Sequence, residues 1–292
     1  MLRSHTTILL IALFAMLTAS CNDIVNSIQE KPPVNLSFNF KKDSTYLYIF
    51  DSRMLLMPTV NGKTLSVKQE MKLLCTYKVT AATNNQKNTT VTYTRITMSS
   101  GNGYNSNSFD SNDSTNIDSL YSPIASMINK PFNLTISDKG LASAQQLYET
   151  QPIDSTGVAV ASFGDSSLRK MMTQCLNFYP PNPVKIGDSW KRNFTASSGF
   201  IHMKLENTYT LKSVEDGIAK IALTANISPE FAGQNMAFRG IQNGTMDVDV
   251  ESGLILNSKI SQQLKGSILI GNKQQPVDAS SEIAIYGNKD QR

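Results

Sequence analysis

Histidine is almost missing from this 292-residue chain, which has only His5 and His202. The scarcity excludes a good deal. A zinc site built on two histidines would need both, and His5 lies in what reads as a removable leader, so the mature chain offers no histidine pair. A Ser-His-Asp arrangement would have to use His202, which stands between Ile201 and Met203 in an alternating strand pattern and points away from the apolar side. Cysteine is scarce too, with Cys21, Cys75 and Cys175, and Trp190 is the only tryptophan. Charged residues make up 17%, below the roughly 25% of an ordinary globular chain. The net charge of +4 is small and spread out, and removing residues 1–20, with one arginine and no acid, leaves +3. That is no nucleic-acid footprint. The chain also lacks a phosphate-cradling glycine loop and a nucleophile motif. Catalytic, cofactor-binding and metal-binding residues are therefore expected to be none, and a hydrolase-type enzyme is the least favoured reading.

Serine, threonine, asparagine and glutamine fill the space that charge leaves, a mix that suits strands joined by polar turns. The amino end is different. MLRSHTTILLIALFAMLTASC has Arg3, an apolar run from Ile8 to Leu17 and the small residues Thr18, Ala19 and Ser20, which is secretory signal architecture. Such a run rises about 15 Å as a helix, half of a ~30 Å hydrocarbon core, so it is no lasting span. Leu17-Thr18-Ala19-Ser20-Cys21 resembles a bacterial lipobox, with the leucine one place early. The resemblance implies removal of residues 1–20 and a diacylglyceryl thioether on Cys21; ordinary secretion with Cys21 as a free thiol is the alternative. Each buried CH₂ contributes ~0.8 kcal/mol and one acyl chain binds only marginally, but two or three chains on one cysteine hold. The expected membrane partner is reached through acylated Cys21. Residues 21–36, ending near Pro32-Pro33, read as a tether. Only Asp23 follows the cysteine closely, which does not resemble the acid-rich signal of surface-exposed lipoproteins. The expected address is the outer membrane, facing the periplasm.

The body, residues 37–287, is dominated by period-two alternation. Leu65, Val67, Gln69, Met71, Leu73, Cys75, Tyr77 and Val79 occupy every second position, and so do Ile201, Met203, Leu205, Tyr209 and Leu211. A period of 3.6 suggests a helix over 117–128, a short one over 141–148 and a third over 168–176. Ser99 to Asn116, rich in Gly, Asn and Ser, reads as a polar loop. Three segments recur in order. KKDSTYLY (41–48) resembles KIGDSWKR (185–192), MKLLCTYKV (71–79) resembles MKLENTYTL (203–211), and FNLTISDKGL (132–141) resembles MDVDVESGL (246–254). They favour two related β-units, about 37–150 and 181–287, joined by a helical segment. The expected fold is mainly antiparallel β with a few helices, a curved sheet or half-barrel.

Several features invite chemistry but have simpler explanations. Asp110, Asn112, Ser114, Asn116 and Asp118 alternate, yet Thr115 and Tyr121 stand where a calcium loop needs Gly and Glu, so a solvated loop is expected. Asp247, Asp249 and Glu251 fall on one sheet face, as a solvated face would. Trp190, in PNPVKIGDSW, is expected to anchor a structural corner. Cys75 and Cys175 lie on apolar faces of an exported body, where a disulfide and free thiols both remain open. Met71, Leu73, Met203, Leu205, Ile260 and Leu264 are candidates for a concave apolar face, and a filled core also accounts for them.

Together with QEMKLLCTYKV, VTYTRITM, PPNPVKIGDSW and NTYTLKSVEDGIAKI, the repeated segments make residues 38–287 similar to uncharacterised envelope lipoproteins of the Bacteroidetes type. The motifs are structural, so the resemblance carries over no catalytic residue. The half-barrel shape is similar in fold to lipoprotein carriers of bacterial envelopes. Two functions follow as expectations: a non-catalytic anchored lipoprotein that binds an apolar ligand or a partner protein, or a structural component of an envelope assembly.

Overall fold

Alternation along long stretches turns this chain into sheet, because each strand can then bury one face. The computed structural model describes residues 32–102, 105–113, 121–144, 174–198, 201–230, 236–270 and 273–289. The unit Pro33–Arg292 carries the whole sheet. In the first meander, β1 (Thr45–Val60) is followed by β2 (Lys63–Thr64), β3 (Val67–Ala82), β4 (Gln86–Gly101), β5 (Ser106–Asp110), β6 (Phe132–Ser137) and β7 (Ala142–Ala144). The second contains β8 (Ser189–Ser198), β9 (Ile201–Glu215), β10 (Ile218–Pro229), β11 (Met236–Asp249) and β12 (Ile255–Ile270), and the described chain ends on β13 (Lys273–Lys289).

Among the described residues these strands form one sheet in the order β7-β6-β4-β3-β1-β13-β12-β11-β10-β9-β8, with β2 attached to β1 and β5 to β4. The sheet is large, curved and open rather than closed into a barrel. Neighbours along the path are antiparallel throughout. Strands β1-β3-β4-β6-β7 and β8-β9-β10-β11-β12 run across the sheet in the same direction, and β13 fills the place between β1 and β12.

The repeated segments occupy matching places. Tyr46 stands opposite Tyr77, and Trp190 opposite Tyr209. Asp43 N donates to Val79 O (3.0 Å) and Val79 N to Ser44 O (3.0 Å); Gly187 N donates to Leu211 O (2.8 Å) and Leu211 N to Asp188 O (3.0 Å). Asp43 and Gly187, at the same place in the repeat, both have positive φ. Two β-units thus share one backbone plan.

Two non-strand segments cover one end of the inner face. Leu36, Phe38 and Phe40 come from the first, and Leu176, Phe178, Tyr179 and Val184 from the second; all are buried. A bridge between Val34 and Val184 joins them, so Val34 and Leu36, placed in the tether by the sequence, belong to the body. The first segment reaches both turns. Phe38 N donates to Asp138 O (2.7 Å) in the first unit's last turn, and Asn39 N to Ser252 O (2.8 Å) in the second's. Gly140 and Gly253, at matching positions with φ of 75° and 76°, sit so close to these segments that a Cβ would lie 1.8 Å from Leu176 O and 2.0 Å from Ser37 O. Glycine is required there by both conformation and space.

Three expectations need correction. Residues 142–144 are strand β7, not helix: Gly140 turns the chain back so that Ala142 and Ala144 pair with Ile136 and Leu134, and edge pairing overrides a weak helical propensity. The helix over 117–128 is reduced, where described, to α1 (Ser122–Ala125) followed by turns. The stretch 99–116 is not simply a loop, because Ser106–Asp110 pairs with Thr97–Gly101. Buried Phe109 anchors that hairpin by stacking on Tyr121 at 5.1 Å, and one aromatic outweighs a loop-like composition. The third helix is described only at 174–176. The helical segment joining the halves lies largely outside the described residues.

Candidate ligand-binding face

The inner face holds two apolar clusters. The larger is aromatic and lies under the covering segments, with Tyr46, Tyr48, Phe50, Tyr77 and Trp190 among its members. Trp190 closes its corner as expected: Nε1 donates to Phe178 O (2.6 Å) and the indole stacks on Tyr209 at 5.8 Å. The smaller cluster contains Leu205, Ile227, Phe238, Leu264, Val277 and Ala279, with half-buried Leu56, Phe194, Met203 and Ile268 at its rim. The candidate apolar face is split between the two. Met71 and Leu73 belong to the aromatic cluster, and Ile260 packs against it. Leu205 and Leu264 belong to the smaller, mostly aliphatic cluster, and Met203 packs against that.

Between the clusters runs a belt of buried amides that the sequence reading missed. Gln262 Nε2 donates to Gln242 Oε1 (2.7 Å), and Gln242 Nε2 donates to Asn207 Oδ1 (3.0 Å). Their exposures are 8%, 4% and 0%. Asn207 and Gln242 both stand opposite Ala225 of the intervening β10, so Gln242 spans two strand spacings, about 9.6 Å, over a single methyl group. The sequence did carry a signal: Asn207 and Gln262 occupy inner positions of alternating strands, flanked by Leu205 and Tyr209 and by Ile260 and Leu264. A polar residue in an apolar register must find partners or be costly.

The belt ends on unspent donors. Asn207 Nδ2 has no partner, because its Oδ1 is turned to Gln242. Directly opposite on β8 stands Arg192, whose Nη2 donates to Tyr179 O (2.6 Å) while its buried Nε has none. Two unsatisfied donors thus stand opposite each other on paired strands.

The other singled-out residues are placed plainly. The sequence leaves Cys75 and Cys175 open to a bridge; the structure has both as free thiols, Cys75 buried and Cys175 half-buried. Desolvation raises both: Cys175 is pushed up to about 12, and Cys75 stands well above 9.0, helped by the neighbouring Cys175. Neither supplies much thiolate near neutral pH. His202 Nδ1 lies 3.6 Å from a Glu230 carboxylate oxygen at the half-exposed surface. Asp110 is held by Arg95 (2.6 Å), which keeps its carboxyl below the usual range, while Ser114, Asn116 and Asp118 lie outside the described residues. Asp249 accepts from Ser252 N (2.7 Å) in its turn, and Glu251 pairs with Lys41 (2.6 Å). Cys21 also lies outside the described residues. The outer face carries a polar groove of about 680 Å³ lined by Asp51, Arg53, Glu70, Lys72 and Asp110 among others.

Residues 141–255 match a family model described as a family of unknown function, DUF6263. The match runs from the turn before β7 to the first residue of β12 and includes Arg192, Asn207 and Gln242. No curated protein matches the chain. Among solved structures, the chain is similar to one described as lipid-protein interactions in lipovitellin, at 9% identity and a TM-score of 0.54, covering 86% of this chain and 25% of that one. The chain thus spans about a quarter of lipovitellin's length, and the likeness is one of fold. An outer membrane channel from Pseudomonas putida is matched at 8% identity over 89% of this chain and 100% of the channel, with a TM-score of 0.29. A putative outer membrane lipoprotein-sorting protein domain from Vibrio parahaemolyticus is matched at 5% identity over 83% and 86%, with a TM-score of 0.15.

Proposed function

We propose that this chain is a non-catalytic lipoprotein of the bacterial envelope, anchored through acylated Cys21, whose curved sheet holds an apolar ligand on its inner face. The division of that face carries the reading. The larger cluster lies under the chain's own lead-in segments, while the smaller, buried as well, is mostly aliphatic and ends in the half-buried rim of Leu56, Phe194, Met203 and Ile268. Concave apolar surfaces bordered by a few fixed polar groups are the usual form of a small-molecule site. The shared fold with lipovitellin, whose structure is described by its lipid-protein interactions, is consistent with that use. The Bacteroidetes-type lipoprotein resemblance and the outer-membrane, periplasm-facing address belong to the same proposal and rest on the leader and on Cys21.

The test has two parts. Intact-mass analysis of the processed chain should find residues 1–20 removed and acyl groups on Cys21; an unmodified, freely soluble product removes the anchor. Organic extraction of the purified protein should release a long-chain lipid in near-stoichiometric amount, and an empty protein that takes up no apolar probe removes the ligand.

A further inference from the structure

We infer that the paired donors Asn207 Nδ2 and Arg192 Nε form the head site for an acyl-chain ligand, receiving the oxygen acceptor at its polar end while the chain lies on the Leu205–Phe238–Leu264 cluster. The inference rests on the proposed apolar-ligand function and names the ligand's chemistry.

The first argument is hydrogen-bond accounting. Buried side-chain donors are almost always paired, because an unpaired one forfeits its hydration without a replacement bond. Among the described residues, several buried polar atoms lack partners, but only Asn207 and Arg192 stand directly opposite each other on paired strands. Both missing partners are acceptors. The amide chain fixes this sense: Gln262 feeds Gln242 and Gln242 feeds Asn207 Oδ1, so the nitrogen of Asn207 is the end left over. Arg192 adds a permanent positive charge whose partner in the structure is the neutral Tyr179 carbonyl. A carboxylate or an ester carbonyl would supply what both lack.

Position makes the second argument. The next inner pair along these strands is Phe194 opposite Leu205, about 6.6 Å further on at two residues per step. Leu205 is a member of the aliphatic cluster and Phe194 part of its half-buried rim. An acyl chain with its head on the donors therefore meets the apolar side chains of that cluster, whose half-buried rim is its point of entry. On the other side lie Trp190 and Tyr209, stacked and buried in the aromatic cluster.

The experiment uses the processed full chain after delipidation, with three probes: palmitate, methyl palmitate and the neutral fluorophore phenylnaphthylamine. The wild type should bind all three. Asn207→Cys should weaken palmitate and methyl palmitate at least tenfold and leave phenylnaphthylamine within twofold. Arg192→Lys, which keeps the charge but lacks Nε, should act in the same direction, with thermal melts confirming that each variant is folded. A wild-type preference for palmitate over its methyl ester assigns a free carboxylate; equal binding assigns an ester carbonyl, as in an intact lipid. If phenylnaphthylamine binds but palmitate does not compete, or if the variants change all probes alike, the head site is overturned while the apolar face survives. If no probe binds, the proposed function fails as well.

Discussion

The two β-units put opposite chemistry at the same place. In the first, Tyr48 of β1 stands opposite Cys75 of β3. At the matching positions of the second, Arg192 of β8 stands opposite Asn207 of β9. The registers agree and the flanking residues are conserved in kind: Phe50 and Leu73 on one side, Phe194 and Leu205 on the other. Yet the first pair lies in the aromatic cluster with one unpartnered group, the Tyr48 hydroxyl, and the second carries two unsatisfied donors, one of them on a charged side chain, beside the smaller apolar cluster. A shared backbone plan thus fixes where inner side chains go without fixing whether that place is packing or recognition.

The comparison can be broken at its corner. Trp190 and Tyr46 hold matching positions, but Trp190 alone ties its unit to Phe178 through Nε1. Trp190→Ala should cost about 4 kcal/mol, a large cavity plus a lost hydrogen bond, measured by urea denaturation. A loss below about 1 kcal/mol would mean that the second unit does not depend on this anchor.

Exchanging the distinguishing residues sharpens the contrast. Cys75→Asn places an unpartnered amide in the aromatic cluster and should cost about 3 kcal/mol. Asn207→Cys strands only Gln242 Nε2 while removing a donor that was already unpaired, so about 1 kcal/mol is expected. Equal losses in the two melts would show that the interiors are equivalent after all.

The matching turns should respond alike. Gly140→Ala and Gly253→Ala each combine positive φ with a clash against backbone and should cost about 2–3 kcal/mol. Gly217→Ala has similar φ, 76°, but open space around it, so about 1 kcal/mol of conformational strain is expected. Chemical denaturation of the three variants separates crowding from dihedral preference.

High pH should weaken the fold through its buried thiols and phenols. Burial raises Cys175 to about 12 and lifts Cys75 and Tyr77 well above their ordinary values. Ionisation therefore favours the unfolded chain, where thiols titrate near 9.0. The contribution of these groups to stability should be constant below pH 9 and fall from there towards pH 12. The double variant Cys75→Ala, Cys175→Ala should delay the onset of that fall in thermal melts taken across the range. At the other extreme, Lys41→Ala breaks an exposed ion pair with Glu251 and should leave the denaturation midpoint unmoved.

Much of the architecture was legible because period-two alternation is a local property. Met71 to Val79 and Met203 to Leu211 announced inward faces that the structure buries or half-buries at every apolar inner position. The recurrence of KKDSTYLY as KIGDSWKR pointed to two units before any pairing was known. Where composition competed with pairing, reading failed: Ser106–Asp110 looks like loop until Phe109 is seen against Tyr121, and Ala142–Ala144 looks helical until it meets β6. The amide belt was missed. Asn207 and Gln262 are polar residues in apolar register, a signal available in the sequence, but nothing in it says that they are joined.

The sequence by itself determined strand-forming segments, their buried sides and the glycine turns, since these depend on neighbours within a few residues. Tertiary structure decided that β13 lies between β1 and β12, that the first lead-in segment bonds to the last turns of both units, and that Asn207 and Gln262, 55 positions apart, share one chain of hydrogen bonds. Such links depend on register between strands distant in sequence, and register is fixed only when the whole sheet assembles.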